Sequence, residues 1–375
     1  MNFSTIDLEI AKCNGNRDEL MKIKDKIYSK MRFPGSLFTS SEKKSEIYYL
    51  LSVIYKELGE YKKFITTLKK SYILNKDSKF LLASLISAYN LYSEDKKYYS
   101  YLVKLFKSKI DNISFEYSGN SASDVKKIIK DNGFIVIKNF FDKEVIKKLE
   151  KNFLNNIEIS RKTLQNLNKN PDNCIYSIYM ISDYGDEKKL KEKVNLGFSK
   201  EDWALDKYID ESDRSFINNN ITNNLKNSFI NELLIDYTNN DKWKMYFDYS
   251  MSRKISQYGL NKDGFAGFHQ DSRIQLFYKR YLTFWIPFCK VGKNSAPSLT
   301  VLPTYCKRFI PYEYSLNANN ILEQRLSTED FPKDCLIQPS LEIGDIWIHD
   351  SFTMHGTYID EYSVGDRLSI DCRFF

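Results

Sequence analysis

The chain has 375 residues and a formal net charge of +7, and 42% of its residues are hydrophobic. This length and apolar content can fill one large core or two smaller ones, which excludes a disordered or fibrous protein. Basic and acidic residues alternate along the chain, which argues against a nucleic-acid-binding surface, and no apolar stretch reaches the roughly 20 residues of a membrane span.

The N-terminal segment, MNFSTIDLEIAKCNGN, carries acidic residues where a signal peptide has a basic segment followed by an apolar one. The six cysteines are scattered and form no CxxC pair, which is typical of reduced thiols. We therefore expect a cytoplasmic protein without a disulfide framework. The cysteines are Cys13, Cys174, Cys289, Cys306, Cys335 and Cys372.

Residues 1 to about 110 are predicted to be helical, because glycine and proline are rare there and apolar residues recur at helical spacing. Within this region, residues 51–78 resemble a tetratricopeptide repeat, and a shift of 34 residues suggests a second, degenerate copy. An ordinary helical bundle is the alternative. A stacked repeat would offer a surface for a possible protein partner without identifying it. The shift superimposes Leu51 on Leu85, Tyr55 on Tyr89 and Leu68 on Leu102.

A polar, turn-favouring stretch at 111–123 predicts a domain boundary. We therefore divide the chain into a helical domain at 1–115 and a second domain at 116–375, with an insert at about 155–245. The second domain is predicted to open with a helix ending at Gly133, a strand at 134–137 and another helix from about Asp142.

From about residue 246 the pattern changes to short strands, which predicts an antiparallel barrel or jelly roll. The segments concerned are KMYFDYSMSRKISQ, YLTFWIPFC, SLTVLP, DIWIHD and RLSIDCRFF.

All three histidines of the chain lie in its last third. His269 and Asp271 are separated by one residue, so an extended strand would direct both side chains to one face. A second histidine would complete a two-histidine, one-carboxylate site of the kind that holds Fe(II) with open positions. His349 and His355 are both candidates for it.

The C-terminal segment alternates strictly, with Arg367, Ser369, Asp371 and Arg373 on one face of a predicted strand. A polar inner face on a closing strand is costly to bury without a purpose. An arginine there is suited to holding a carboxylate through two hydrogen bonds, and a serine can add a third.

Together these segments resemble the phytanoyl-CoA dioxygenase family of Fe(II)- and 2-oxoglutarate-dependent oxygenases. The resemblance covers residues 120–375 and keeps the family's order of motifs. It implies an α+β protein in which a double-stranded β-helix (jelly-roll or cupin-like) follows the helical repeat domain. The matching segments are DNGFIVIKNFFDKEVIKKL, FHQDS, LTFWIPFCKVGKNSAPSLTVLP and GDIWIHDSFTMHGTYIDEYSVGDRLSIDCRFF.

The resemblance also implies site residues. It places His269, Asp271 and His355 on Fe(II), with His355 chosen because the family's ligand lies in an HG dipeptide before the arginine. Arg367 and Ser369 would then hold the distal carboxylate of 2-oxoglutarate. Three further expectations are that Trp285 and Thr283 border the co-substrate pocket, that His349 is a strand or supporting residue, and that Arg373 pairs with Asp371 or another acidic residue.

The expected function is an oxygenase, most simply a hydroxylase of a small-molecule or carrier-bound substrate, releasing succinate and CO₂. Retention of Asp271 argues against a halogenase. Two alternatives stay open: hydroxylation of a protein recruited by the helical repeats, and an inactive repeat-based interaction protein. The sequence does not identify the substrate, whose recognition we expect to depend on residues 155–265.

Overall fold

The architecture comes from a computed structural model of the full chain. It describes residues 6, 9–10, 12–13, 15–31, 40–111, 113–166, 176–179, 207–208, 211–245, 250–255, 269–271, 281–305, 314–316, 322–324, 331–357 and 362–374. The middle of the predicted insert lies outside these ranges, at 167–175, 180–206 and 209–210, as does the segment 256–268 that precedes His269.

The N-terminal region is helical, as predicted. Ser40, Ser78 and Asp95 cap three of its helices by accepting a hydrogen bond from a backbone N–H in the first turn. Leu51 and Leu85, which the repeat hypothesis makes equivalent, are both buried in this region. The repeat assignment itself stays a prediction. The helices are α1 (Arg17–Met31), α2 (Ser41–Glu57), α3 (Tyr61–Leu74), α4 (Lys79–Tyr92) and α5 (Lys96–Ile110).

The opening of the second region is confirmed. Helix α6 (Ala122–Asn132) is capped by Ser121 and ends at Gly133, whose φ of 86° lies in the left-handed region that favours glycine. Strand β2 (Phe134–Ile137) follows directly, and helix α7 (Lys143–Asn166) begins one residue after the predicted start. Two further helices are α8 (Glu211–Lys226) and α9 (Ile230–Thr238).

An eight-stranded, mostly antiparallel sheet forms the centre of the second region, with strand order β1-β2-β10-β6-β12-β5-β3-β4. The strands predicted around β5, β6, β7, β10 and β12 are confirmed. The bounds are β1 (Glu116–Tyr117), β3 (Tyr176–Tyr179), β4 (Lys207–Tyr208), β5 (Met251–Ile255), β6 (Leu282–Pro287), β7 (Leu299–Val301), β8 (Tyr314–Leu316), β9 (Leu322–Gln324), β10 (Ile346–Asp350), β11 (His355–Thr357) and β12 (Arg367–Phe374).

The central strands β2, β6 and β10 are buried on both faces. Alternate residues such as Ile135, Phe284 and Ile348 belong to a core shared with α6 to α9, which we call the outer face. The other set, including Phe134, Trp285 and Trp347, belongs to a second core on what we call the inner face. Burial on both faces explains why these strands are nearly continuous apolar runs.

A smaller sheet lies on the inner side, where β11 pairs antiparallel with β7. Isolated bridges extend this layer, joining His269 to His355 and Val301 to Ile337. The mixed helix-and-sheet architecture agrees with the predicted α+β class. The double-stranded β-helix remains a prediction.

The hydrophobic core of the N-terminal helices extends into the second region. The cluster formed by α1 to α5 also contains Leu302, Phe331, Cys335 and Met354 from the second region. An ion pair of 3.4 Å between Lys107 and Asp334 lies at the same boundary. The division at residue 115 stays a prediction, but the apolar contact across it is continuous.

No helix in the described ranges combines the length and apolarity needed to cross a membrane. The cysteines within those ranges, Cys13, Cys289, Cys335 and Cys372, are free thiols.

Candidate metal centre

Backbone pairing brings the HxD segment next to the second histidine. The N–H of His269 donates to the carbonyl of His355 at 2.9 Å, and the reverse hydrogen bond measures 3.1 Å. One ligand atom each from His269, Asp271 and His355 all lie within 4.8 Å of one another. Because an antiparallel bridge fixes the two segments side by side, the two imidazoles face the same space, with ring centroids 4.4 Å apart.

His355 presents one ring nitrogen to this space. Its Nδ1 lies 3.0 Å from the carbonyl oxygen of Thr353, which favours a proton on Nδ1 and leaves the Nε2 lone pair for a metal. Burial, followed by the neighbouring His349 and His269, holds the pKa of His355 well below its usual range. The imidazole is therefore neutral, as metal ligation requires.

The turn that carries His355 is fixed on both sides. The hydroxyl of Thr353 donates to the carbonyl of Gly133 at 2.6 Å, and the Gln270 amide donates to the carbonyl of Phe352 at 2.9 Å. Asp350 accepts hydrogen bonds from the backbone of Phe352 and from Tyr305, each at 2.8 Å. These contacts connect the turn to both the HxD segment and the outer face.

Asp271 is buried and ionised. Burial alone would raise its pKa, but Arg373 and then His349 outweigh that effect and hold the pKa well below its usual range. Oδ2 of Asp271 accepts hydrogen bonds from Thr283 at 2.7 Å and Arg373 at 3.1 Å, and it lies 3.4 Å from Nε2 of His349. Oδ1 lies 3.7 Å from His269 Nε2 and 3.8 Å from His355 Nε2.

Arg367 is 1% exposed, and no described carboxylate lies within 4.0 Å of its guanidinium, although the charge of Asp371 acts on it from further away. Its Nη1 donates to the hydroxyl of Thr357 at 3.0 Å, and its guanidinium lies 5.6 Å from the ring centroid of Trp285. Burial lowers the pKa of Arg367 to about 10, so it stays charged at neutral pH. Ser369, two residues further on the same face of β12, is also buried.

Two buried donors on residues that contact Trp285 have no hydrogen-bond partner within the described part of the chain. They are Nε of Arg367 and Nε1 of Trp347. Trp347 packs edge-on against Trp285, with ring centroids 6.4 Å apart. Both donors need an acceptor, because an unpaired buried donor is costly, so the arrangement fits an anionic ligand.

The structure brings the predicted site residues together in two groups. His269, Asp271, His355 and Thr283 form one group, and Arg367 and Trp285 form the other, with Ser369 beside Arg367. Thr283 was expected at the co-substrate pocket, and its hydroxyl contacts Asp271. Arg373 pairs with Asp271, an acidic residue other than Asp371.

Sequence reasoning missed Trp347 as a site residue and left His349 without a defined contact. The available signal was their shared parity with the rest of the inner face on strand IWIHD. The convergence on Asp271 required the strand order, which no local pattern contains.

No protein-family model matches this chain, and no curated protein matches it. Solved structures that are similar to it include the following three. AviO1 from Streptomyces viridochromogenes Tue57 is 13% identical, with 69% of this chain and 96% of that chain covered and a TM-score of 0.37. EvdO2 from Micromonospora carbonacea var. aurantiaca, complexed with 2-oxoglutarate, is 11% identical, with 69% and 93% covered and a TM-score of 0.36.

The third is the epimerase SnoN in complex with Fe3+, alpha ketoglutarate and nogalamycin RO. It is 11% identical, with 68% of this chain and 83% of that chain covered and a TM-score of 0.39.

Proposed function

We propose that this protein is an Fe(II)- and 2-oxoglutarate-dependent oxygenase. His269, Asp271 and His355 are the proposed ligands of iron, and Arg367 with Ser369 is the proposed binding site for the distal carboxylate of 2-oxoglutarate. Trp285 borders that site in the proposal, and Trp347 supplies a further donor. Iron and this co-substrate are also those named for the SnoN complex.

The observation that carries the proposal is the buried guanidinium of Arg367, which has no carboxylate partner among the described residues. A buried cation without a counter-ion is strongly unfavourable, so an anion that binds there is stabilised. Thr357, which accepts from Arg367, lies two residues after His355 on β11. The guanidinium is thus hydrogen-bonded to the strand that carries the proposed ligand His355. The two residues, His355 and Thr357, are about 6.6 Å apart along that strand.

The charges support a dianionic co-substrate. Asp271 and Arg373 neutralise each other. Arg367 is a further buried positive charge before any metal binds, and its charged neighbours Asp371 and Arg253, which are not buried, act on it in opposite directions. A divalent metal adds two more positive charges at the neighbouring cluster. A dicarboxylate would offset two of these three charges, whereas a neutral ligand would offset none.

In the proposal, the protein's own residues bind and orient the metal and the co-substrate, and they exclude water from the site. The imidazoles of His269 and His355 and the ionised Asp271 offer two nitrogens and one oxygen, the donor set of the facial triad. When bound, Fe(II) and 2-oxoglutarate would supply oxygen activation, with release of succinate and CO₂ and oxidation of a substrate. The Trp285 and Trp347 rings keep the surroundings of Arg367 apolar, which strengthens its hold on a carboxylate.

We further propose that the reaction is a hydroxylation and that the substrate is a small molecule or is bound to a carrier. For the fold, we propose a double-stranded β-helix of the phytanoyl-CoA dioxygenase-like subfamily at 116–375, preceded by a tetratricopeptide-like domain at 1–115. A protein partner bound through residues 1–115 is a further part of the proposal.

The test compares two buried aspartates. Asp271→Asn removes a proposed ligand, whereas Asp345→Asn removes a charge of similar burial that pairs with Lys138 at 2.9 Å, away from the cluster. Anaerobic calorimetry with Fe(II), and release of labelled CO₂ from 2-oxoglutarate, are measured for both. We expect Asp271→Asn to lose at least about 100-fold in Fe(II) affinity, because a ligand matters more than the supporting contacts that cost 10–100-fold.

Asp345→Asn should keep Fe(II) affinity and CO₂ release while losing stability. Equal Fe(II) affinity in Asp271→Asn and the unmodified protein would refute the metal site. Tight Fe(II) binding without any CO₂ release at saturating 2-oxoglutarate would instead favour the interaction-protein alternative.

A further inference from the structure

Three side chains from three neighbouring strands contact a single oxygen atom. Oδ2 of Asp271 lies 2.7 Å from the hydroxyl of Thr283, 3.1 Å from Nη2 of Arg373 and 3.4 Å from Nε2 of His349. All four residues are at least 95% buried. Thr283 and Arg373 donate to Oδ2 and fill the two lone-pair sites that one carboxylate oxygen offers, and Nε2 of His349 lies beside the same oxygen.

Sheet register causes this convergence. Thr283 on β6 is directly opposite His349 on β10, and on its other side it is directly opposite Arg373 on β12. Residues opposite each other on adjacent strands point to the same face, so the three side chains form one row across the inner face. The row is fixed by backbone hydrogen bonds of the central sheet.

The other oxygen of Asp271 faces the histidines. Oδ1 lies 3.7 Å from His269 Nε2 and 3.8 Å from His355 Nε2. The two oxygens of Asp271 therefore have separate surroundings, one filled by protein donors and one directed at the candidate ligand atoms.

We propose that Thr283, His349 and Arg373 form a carboxylate clamp, which holds Asp271 so that it binds metal through Oδ1 alone. The inference rests on the proposed function, since it concerns the same site. All three are positioning residues, because they act through Asp271. A carboxylate that binds through one oxygen leaves three of six octahedral positions free beside two imidazoles, enough for a chelating co-substrate and oxygen.

A purely structural role predicts something different. If Arg373 only neutralises a buried charge, then removing the Thr283 hydroxyl, which carries no charge, should leave the coordination of Asp271 unchanged. If the clamp sets the geometry, the loss of either donor should free Oδ2 to approach the metal as well.

The experiment uses Co(II) alone as the metal probe in the full-length protein with ¹³C-labelled aspartate. Infrared difference spectra with and without Co(II) report the separation between the asymmetric and symmetric carboxylate stretches. That separation is wide for a carboxylate bound through one oxygen and narrow for one bound through both. The variants are Thr283→Val, Arg373→Met and their combination. Thr222→Val removes a buried hydroxyl in α8 that bonds to Asn218, and it serves as the matched control.

We expect a wide separation in the unmodified protein and in Thr222→Val, and a narrower one in Thr283→Val and in the double variant. Co(II) affinity should fall 10–100-fold in Thr283→Val, as for other contacts that orient metal ligands. Should Arg373→Met fail to fold by circular dichroism, Thr283→Val and Arg373→Lys decide, with Arg373→Lys expected to restore the wide separation.

An unchanged separation in Thr283→Val overturns the clamp, whether or not the affinity falls. A His355→Ala variant separates this failure from that of the proposed function. If His355→Ala binds Co(II) as tightly as the unmodified protein, the metal site itself is wrong, and the clamp has no metal to orient.

Discussion

The helical region and the strand region bury different kinds of residue. Within the described residues up to 111, the buried residues with polar side chains are serines and the hydroxyl-bearing tyrosines Tyr49, Tyr72 and Tyr89, and no charged residue is buried. Beyond residue 260, the buried polar residues include three aspartates, two histidines and two arginines. These are Asp271, Asp345, His349, Asp350, His355, Arg367 and Arg373.

This difference separates stability from chemistry within one molecule. Serine hydroxyls satisfy one another or a backbone carbonyl at little cost, so the helical region resembles a core selected for packing. Buried charges are costly and rarely improve stability over apolar residues of the same size. Five of the seven, Asp271, His349, His355, Arg367 and Arg373, lie on the inner face or at the candidate metal centre beside it, which indicates that this face is maintained for binding. Asp345 and Asp350 lie elsewhere, Asp345 in an ion pair with Lys138.

The largest expected effect tests the packing side of this comparison. Leu82, fully buried in α4, should cost about 2–5 kcal/mol of unfolding free energy when replaced by alanine, because a cavity remains. Leu91→Ala, at an exposed position of the same helix, should stay within about 0.5 kcal/mol. Urea unfolding measures both. A loss of Co(II) affinity in folded Leu82→Ala would contradict the separation of stability from binding.

The next prediction concerns Arg367. Arg367→Met should raise the KM for 2-oxoglutarate about 10–100-fold, because a charge-assisted hydrogen bond contributes about 1.5–3 kcal/mol. The KM of Arg367→Lys should lie between those of the unmodified protein and Arg367→Met, since lysine lacks the planar fork of arginine. Steady-state CO₂ release measures both. The control is Lys254→Met, which removes a cation of the neighbouring strand β5 that pairs with Asp366. It should leave the KM for 2-oxoglutarate unchanged.

A pH effect is expected at Asp350. Burial raises its pKa to about 7 in the folded protein, although the N–H of Phe352 acts in the opposite direction. Between pH 4 and 7 the folded protein therefore holds a proton that the unfolded chain releases. The unfolding free energy should decline as the pH rises through this window, by at most about 1.4 kcal/mol per pH unit, and level off above pH 7.

Asp350→Asn should remove this contribution, as measured by urea unfolding at several pH values between 5 and 8. The same slope in both proteins would show that Asp350 is ionised throughout. The hydroxyls of Tyr237 and Tyr305, which both contact Oδ2 of Asp350, would then be its stabilising donors.

The smallest effect is expected in the helical core. Ser45 and Ser71 each donate a hydrogen bond to the other's carbonyl, at 2.8 and 2.7 Å, and so connect α2 to α3. Ser71→Ala should cost about 1 kcal/mol of unfolding free energy. Ser100→Ala, which removes an exposed hydroxyl from α5, should be nearly neutral. A larger loss for Ser71 would mean that the helical core depends on polar contacts more than its composition indicates.

Local patterns predicted a large part of the strand region. Alternation placed Arg367 and Ser369 together on the inner face of β12, because side-chain direction in a strand has a period of two. His269 and Asp271 also converge, but not in the predicted extended strand, since His269 forms an isolated bridge and Asp271 lies in a 3-10 turn. The capped helix ending at Gly133 followed from its serine and glycine in the same way.

Strand order could not be obtained in that manner. Arg373 lies in one row with Thr283 and His349 because β12 and β10 flank β6, and this row faces Asp271. The contact between Arg373 and Asp271 joins residues more than a hundred positions apart. The shared core was equally hidden, since Leu302 and Met354 have no local feature that indicates a helical partner.

Met354 belongs to the core built by the N-terminal helices, and the next residue along the chain is His355. Deleting residues 1–110 would expose an apolar patch at the base of the proposed metal site and loosen the turn beside it. Trimming the helices should therefore yield a poorly folded fragment, which makes the intact chain the proper starting point for substrate searches. A molecule that binds the N-terminal helices would therefore contact a core that reaches the residue next to His355.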